Sequence, residues 1–117
     1  MASVEDWLEK YEQDIQSAQD NTQARKILKE CHLAVESLIK AILVERGVRP
    51  DEIHDTTQLA QQIPQFPNEK QRLLSYLYAV YDRRYPDDLD YARNKSPEAA
   101  IEAVEELKNW ADKRYFR

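Results

Sequence analysis

Apolar side chains recur along the chain at the three- and four-residue spacing of amphipathic α-helices. In the first segment this spacing runs through residues 7–18, after Ser3. Ser3 followed by Asp6 is typical of an N-cap with an acidic first turn. The pattern predicts a helix that begins after Ser3 and ends where residues 20–22 interrupt it, and these polar residues are placed to cap the next helix.

The second apolar segment, from Ala24 to Arg46, is the widest. Its stripe covers roughly half of the helix circumference, which is more than a one-sided surface helix needs. Leu33 and Val44 add apolar positions to the otherwise polar face. We therefore expect a central helix that contacts neighbours on several sides, one of which a partner subunit can supply. Gly47 is predicted to end this helix in the left-handed conformation.

Two more helices are predicted between the second segment and Pro86. Asp55 as N-cap, with Gln58 three residues later, predicts a short helix that ends near Ile63. Asn68 is predicted to cap a third long helix, which Pro86 ends. The sequence therefore alternates helix starts and helix stops, without the turn signals of a hairpin.

The polar stretch 87–95 is predicted to be a loop, and residues 96–98 (Ser-Pro-Glu) form a strong helix start. The fold expected from these elements is all-α, with four long helices and one short helix in an up-and-down bundle. A length of 117 residues suits one domain, so we expect residues 1–117 to fold as a single unit.

Composition narrows the classes of function. One glycine among 117 residues disfavours β-hairpins and leaves no glycine-rich phosphate loop. A net charge of −5 argues against non-specific nucleic-acid binding, and no apolar run reaches the length of a membrane span. Cys31, the single cysteine, fits a reducing compartment. We expect a soluble, cytoplasmic protein without a membrane segment.

Arg84 is the most informative polar position. If the third long helix continues, Arg84 lies on the same face as the apolar side chains of residues 73–81. A guanidinium on an apolar face must be paired or must line a cleft. Asp87 or backbone carbonyls can pair it within the fold. Alternatively, Arg84 binds an anion such as a phosphate or a nucleotide.

The residues around Arg84 interleave tyrosine with arginine, a combination that can stack bases and hold phosphates. Acidic residues in the same stretch offset its charge, so a salt-bridged loop is the alternative interpretation. The candidate nucleotide- or anion-binding residues are Arg84, Tyr85, Tyr81, Arg83 and Asp87.

The remaining polar candidates have simple structural interpretations. His54 can act as a base or a ligand, but a residue before an N-cap more often packs on the first turn. His32 lies at the edge of the second apolar stripe and is interpreted as a packing residue. Glu36 and Lys40, at i and i+4, are interpreted as an exposed ion pair. No residues have metal-ligand spacing, so neither a metal nor a cofactor is expected.

The order of several motifs resembles the HEPN domain family (higher eukaryotes and prokaryotes nucleotide-binding). These motifs are residues 31–43, Gly47, His54-Asp55, Tyr81 and residues 84–87. The resemblance covers nearly the whole chain and implies a four-to-five-helix bundle that is commonly a homodimer. It also makes family signature positions of Glu36, Lys40, His54, Asp55, Tyr81, Arg84, Tyr85, Pro86 and Asp87.

The resemblance further implies pairing with a minimal nucleotidyltransferase in a prokaryotic two-gene, toxin–antitoxin-like module. The family's ribonucleases carry an arginine followed, after four to six residues, by a histidine late in the domain. In this chain no histidine follows Arg72, Arg83, Arg84 or Arg93. We therefore expect a protein that binds nucleotide or RNA near Arg84. The alternatives are an RNase toxin with a non-standard site and a non-catalytic helical dimerisation domain.

Overall fold

The structure, a computed structural model, describes residues 2–50, 52–53, 55–82 and 96–116. The elements in these ranges are α1 (Val4–Asp20), α2 (Ala24–Glu45), α3 (Thr56–Ala60), a 3₁₀ turn (Asn68–Lys70), α4 (Gln71–Asp82) and α5 (Pro97–Arg114). All of these elements are helical, which confirms the all-α prediction of four long helices and one short one. None of the helices described is both long and apolar enough to cross a bilayer.

The predicted helix starts at Ser3 and Ser96 are confirmed. Asp6 N–H donates to Ser3 Oγ at 3.1 Å, and Ser3 N–H donates back to the Asp6 carboxylate at 2.9 Å. This reciprocal capping box lowers the pKa of Asp6, because the backbone N–H of Ser3 stabilises the ionised carboxylate. Ser96 Oγ accepts from Ala99 N–H at 3.3 Å, and Pro97 occupies the first turn of α5.

The end of α2 follows the expected glycine motif. Gly47 has a φ of +77°, Gly47 N–H donates to the carbonyl of Val44, and Val48 N–H donates to that of Leu43. These two bonds form a Schellman motif, which satisfies carbonyls that the helix leaves unpaired. The start of α2 differs from the prediction, since its N-cap is Gln23 and makes no side-chain cap bond. Asn21 instead accepts from Gln23 N–H at 3.0 Å.

Two other predicted boundaries were wrong. α3 ends at Ala60 instead of near Ile63, because the N–H groups of Gln61, Gln62 and Ile63 donate to carbonyls three residues earlier, in tight turns that do not continue the α-helix. The third long helix was predicted to be capped by Asn68. That residue lies inside the 3₁₀ turn that precedes α4, and Pro67 takes the cap position. The predicted helix end at Pro86 and the loop 87–95 lie outside the described residues.

α2 is the centre of the bundle, as its wide apolar stripe predicted. It buries fourteen of its 22 residues, and α1, α3, α4 and α5 all contact it. The core includes Tyr11 from α1, Leu77 from α4 and Leu107 from α5, each at most 2% exposed. Because neighbours surround α2, four of its polar side chains are enclosed as well, namely those of His32, Glu36, Ser37 and Lys40.

Candidate functional site

Three polar residues form a buried row along α2. His32, Glu36 and Lys40 lie at i, i+4 and i+8, which places them on one face of the helix. They are 0%, 6% and 5% exposed. The interpretation of Glu36 and Lys40 as an exposed ion pair was therefore wrong, because α1 and α4 pack over this face of α2. We call His32, Glu36 and Lys40 the α2 polar row.

Glu36 is the centre of the row and faces both of its neighbours. Lys40 Nζ donates to Glu36 Oε2 at 2.9 Å, and Glu36 Oε1 lies 3.4 Å from His32 Nε2. A buried carboxylate costs several kcal/mol of desolvation unless opposite charges and hydrogen bonds compensate it. Lys40 supplies that compensation from the same helix, and the arrangement leaves the imidazole beside the second carboxylate oxygen.

Aromatic rings from two other helices cover the row. The His32 ring stacks on Tyr81 of α4, with centroids 4.4 Å apart and an interplanar angle of 26°. The Tyr78 ring lies 5.6 Å from His32. On the other side, Lys40 Nζ lies 5.1 Å from the centre of the Trp7 ring of α1, a cation–π distance. Tyr78 and Tyr81 are half-buried, so the row meets the protein surface beside α4.

Several buried nitrogens of this cluster have no hydrogen-bond partner among the described residues. They are Nδ1 and Nε2 of His32 and Nε1 of Trp7. Buried polar atoms in proteins are nearly always paired, so each exception calls for an explanation. The cluster therefore combines a buried cation, a carboxylate, an imidazole with unused hydrogen-bonding capacity and two tyrosine rings. The two tyrosine rings are half-buried, and such rings can stack on a planar base.

The structure brings together three of the residues predicted from the sequence. Glu36 and Lys40 belong to the α2 polar row, and Tyr81 stacks on it through His32. Asp55 instead caps α3, where its side chain accepts from Thr57 N–H at 3.0 Å. The other candidates, Arg83, Arg84, Tyr85, Asp87 and His54, lie outside the described residues.

Sequence reasoning missed Trp7 and Tyr78 as members of the cluster and treated His32 as packing alone. His32 does pack, but its neighbour is a carboxylate as well as aromatic rings. The spacing of His32, Glu36 and Lys40 was a signal for the row, since residues four apart on a helix are neighbours. Trp7 and Tyr78 carry no such signal, because their approach to α2 depends on how three helices pack.

The described part of the chain contains no group of three or more His, Cys, Asp or Glu side chains able to hold an ion. Cys31, next to His32 in sequence, is fully buried, and burial raises the pKa of its thiol to about 12. Glu30 and Glu105 add to this shift through their negative charges. The thiol is therefore protonated and unsuited to nucleophilic chemistry near neutral pH.

Comparison with known proteins gives one match. A protein-family model described as "HEPN domain" matches residues 4–114, which extend from the first residue of α1 to the last residue of α5. No curated protein and no solved structure matches the chain. The family match includes all the helices described above and the whole α2 polar row.

Proposed function

The chain belongs to the HEPN domain family, and from this we propose that it binds a nucleotide or an RNA phosphate group where the α2 polar row meets α4. The observation that carries the proposal is the burial of Glu36 and Lys40 beside a histidine stacked on Tyr81. In the sequence, Tyr81 is followed closely by Arg83 and Arg84, which add cationic groups suited to phosphate.

Stability alone does not account for the α2 polar row. Replacing a buried ion pair with apolar side chains of similar volume is often neutral or stabilising, so such a pair is weak evidence for a structural role. Neither ring nitrogen of His32 makes a hydrogen bond to a described residue, which adds to the cost of burial. A role in positioning Tyr78 and Tyr81 for a ligand accounts for their presence. Tyr78 and Tyr81, both half-buried, offer it a stacking surface.

We favour binding over RNA cleavage because of where His32 lies. A general base must come within hydrogen-bond reach of the 2′-hydroxyl that it deprotonates. His32 is fully buried and stacked on Tyr81, so its imidazole is placed to orient neighbouring groups. An RNase with a non-standard site, using Arg84 with Tyr81 or Tyr85, is the alternative, and incubation with labelled transfer RNA separates the two functions.

Isothermal titration calorimetry with ATP tests the binding site. The variants are Tyr81→Leu, which removes the stacking ring, and Arg84→Ala, which removes a cation. Lys10→Gln is the control, because it removes a charge from the exposed side of α1. We expect each site variant to weaken binding about tenfold, the usual value of one base–aromatic stack or one charged contact. Unchanged binding in both site variants would contradict the proposed site.

We propose that the chain acts in the cytoplasm of a prokaryotic cell as a homodimer, paired with a minimal nucleotidyltransferase in a two-gene, toxin–antitoxin-like module. Leu33 and Val44, two half-buried apolar residues of α2, support a subunit contact. Light scattering at high micromolar concentration tests the dimer, and co-purification with the nucleotidyltransferase encoded next to it tests the pair. A monomer that captures no such enzyme would contradict both.

A further inference from the structure

A second aromatic group lies at the C-terminal end of α5, away from the α2 polar row in sequence. Trp110, Tyr115 and Phe116 are half-buried, and the Tyr115 ring lies next to each of the other two. The Trp110 and Tyr115 rings are 5.8 Å apart, and those of Tyr115 and Phe116 are 6.4 Å apart. Behind them the buried Phe66 meets Trp110 edge to face at 5.8 Å. We call Trp110, Tyr115 and Phe116 the α5 aromatic surface.

The last ten residues of the sequence, which include this surface, have a net charge opposite in sign to that of the whole chain. Residues 108–117 contain four basic side chains and one acidic one, while the chain as a whole has a net charge of −5. The one acid, Asp112, is held by Lys108 at 2.7 Å. Lys113 and Arg114 are exposed, and the Arg114 guanidinium lies 5.9 Å from the Tyr115 ring centre. Half-buried aromatic rings and exposed cationic groups therefore occur together.

The surface is also anchored to the rest of the fold. Arg114 donates a hydrogen bond to the side chain of Gln65, in the connector between α3 and α4. Gln65 has a φ of +60°, in the left-handed region that non-glycine residues rarely adopt. Backbone strain of this kind persists only where surrounding contacts hold it, and it concentrates at functional sites. Arg114 and the Phe66–Trp110 contact are such holding contacts.

We propose that the α5 aromatic surface binds single-stranded RNA, with bases stacked on Tyr115 and its neighbours and phosphates near Arg114 and Lys113. Aromatic side chains beside basic ones are the usual means of binding single strands without sequence preference. The local positive charge favours a polyanion over an apolar protein partner. The proposal rests on the proposed function for its class of ligand, and it adds a second contact surface for RNA.

Fluorescence anisotropy with a labelled oligouridylate of about 15 nucleotides tests the proposal. Tyr115→Leu keeps an apolar side chain but removes the aromatic face, and Arg114→Gln removes the charge. Lys26→Gln, on the exposed first turn of α2, is the matched control for loss of one positive charge. We expect Tyr115→Leu and Arg114→Gln each to weaken oligonucleotide binding about tenfold. ATP binding at the α2 polar row should stay unchanged in both.

Quenching of tryptophan fluorescence gives a second measurement on the wild-type protein. Stacked bases should quench Trp110, so the quenching caused by RNA should fall in Trp110→Phe. If Tyr115→Leu fails to fold, as judged by circular dichroism, Arg114→Gln and the quenching experiment decide the question.

Three results would overturn the proposal. The first is wild-type protein that binds no oligonucleotide, or variants that bind it as well as the wild type does. The second is an equal loss in Lys26→Gln, because general charge would then account for the effect. The third is a dimer that Tyr115→Leu dissociates, since the surface would then be a protein interface. ATP binding is measured separately, so loss of the α2 site and loss of the α5 surface give different results.

Discussion

Lys40 donates a 2.9 Å hydrogen bond to Glu36 one helical turn away, inside the bundle. Removing one partner of a buried ion pair leaves the other charge uncompensated. We therefore expect Lys40→Met to lower the free energy of unfolding by about 3 kcal/mol. Urea unfolding at neutral pH measures this loss. The double variant Glu36→Gln with Lys40→Met should lose less than the sum of the two single variants, because no buried charge of the pair remains.

The control for this experiment is the pair Lys10–Asp14, which has the same i,i+4 spacing and a distance of 2.8 Å. Lys10 is 45% exposed, so Lys10→Met should cost less than about 1 kcal/mol. Equal losses in Lys40→Met and Lys10→Met would contradict the argument that burial gives the Lys40 pair its importance.

His32 should be replaceable without loss of stability. Both of its ring nitrogens are buried without hydrogen bonds to described residues, whereas its ring stacks on Tyr81. His32→Phe keeps a ring for stacking and removes these two nitrogens, of which Nε2 lies 3.4 Å from Glu36 Oε1. We expect stability to stay within about 1 kcal/mol of the wild type or to rise, while affinity for ATP falls. Thermal unfolding and calorimetry on the same samples measure both effects.

The contrasting variant is His32→Ala, which removes the ring. Loss of packing at a fully buried position should cost about 2 kcal/mol or more. A loss of that size in His32→Phe would instead mean that the imidazole nitrogens have a structural partner. The α2 polar row would then have a structural role and not a functional one.

How far the sequence predicted the molecule depends on whether local or tertiary forces decide each feature. The caps at Ser3, Asp55 and Ser96 were predicted because a side chain needs only its own next residues to cap a helix. The burial of Glu36 and Lys40 was not predicted, since it depends on which helices cover that face. Helical periodicity gives the face but does not identify its neighbours.

The candidate site shows the same division. Tyr81 was predicted as a binding residue because it lies close to Arg84 in the sequence, and in the structure its ring stacks on His32. Trp7 reaches Lys40 from another helix, 33 positions earlier in the chain, and no local pattern relates the two residues. A cluster assembled from three helices needs the bundle geometry before its members can be recognised.

The capping box of α1 should make stability depend on pH. The pKa of Asp6 is lower in the folded protein than its usual value, because the ionised carboxylate accepts from Ser3 N–H. The contribution of the Asp6 carboxylate to stability is therefore present above the unfolded-state pKa and is lost as the pH falls through the folded-state pKa. Urea unfolding of wild type and Asp6→Asn, compared at neutral and strongly acidic pH, should show a difference that disappears in acid. A difference that persists in acid would contradict this linkage.

The Cys31 thiol should be unreactive in the folded protein. Burial raises the pKa of its thiol to about 12 from an ordinary value of 9.0, so almost none is thiolate at pH 8. Because the thiolate is the reactive form, Ellman's reagent should modify native protein very slowly and urea-unfolded protein rapidly. The absorbance of released thionitrobenzoate follows both rates. Rapid modification of native protein that binds ATP normally would show that the core opens at α2.

Gly47 and Gln65 offer opposite tests of left-handed backbone geometry. Gly47 has a φ of +77°, and a Cβ placed on it would meet nothing within 4 Å. Gly47→Ala should therefore lower the free energy of unfolding by about 1 kcal/mol through backbone conformation alone, without steric overlap. Gln65 has a φ of +60°, so Gln65→Gly should raise the free energy of unfolding by a similar amount. Loss of the hydrogen bond from Arg114 to the Gln65 side chain reduces this gain. Thermal unfolding of both variants shows whether each is less stable or more stable than the wild type. If Gln65→Gly is as destabilising as Gly47→Ala, the Arg114 contact outweighs the strain, and the connector is held mainly through that side chain.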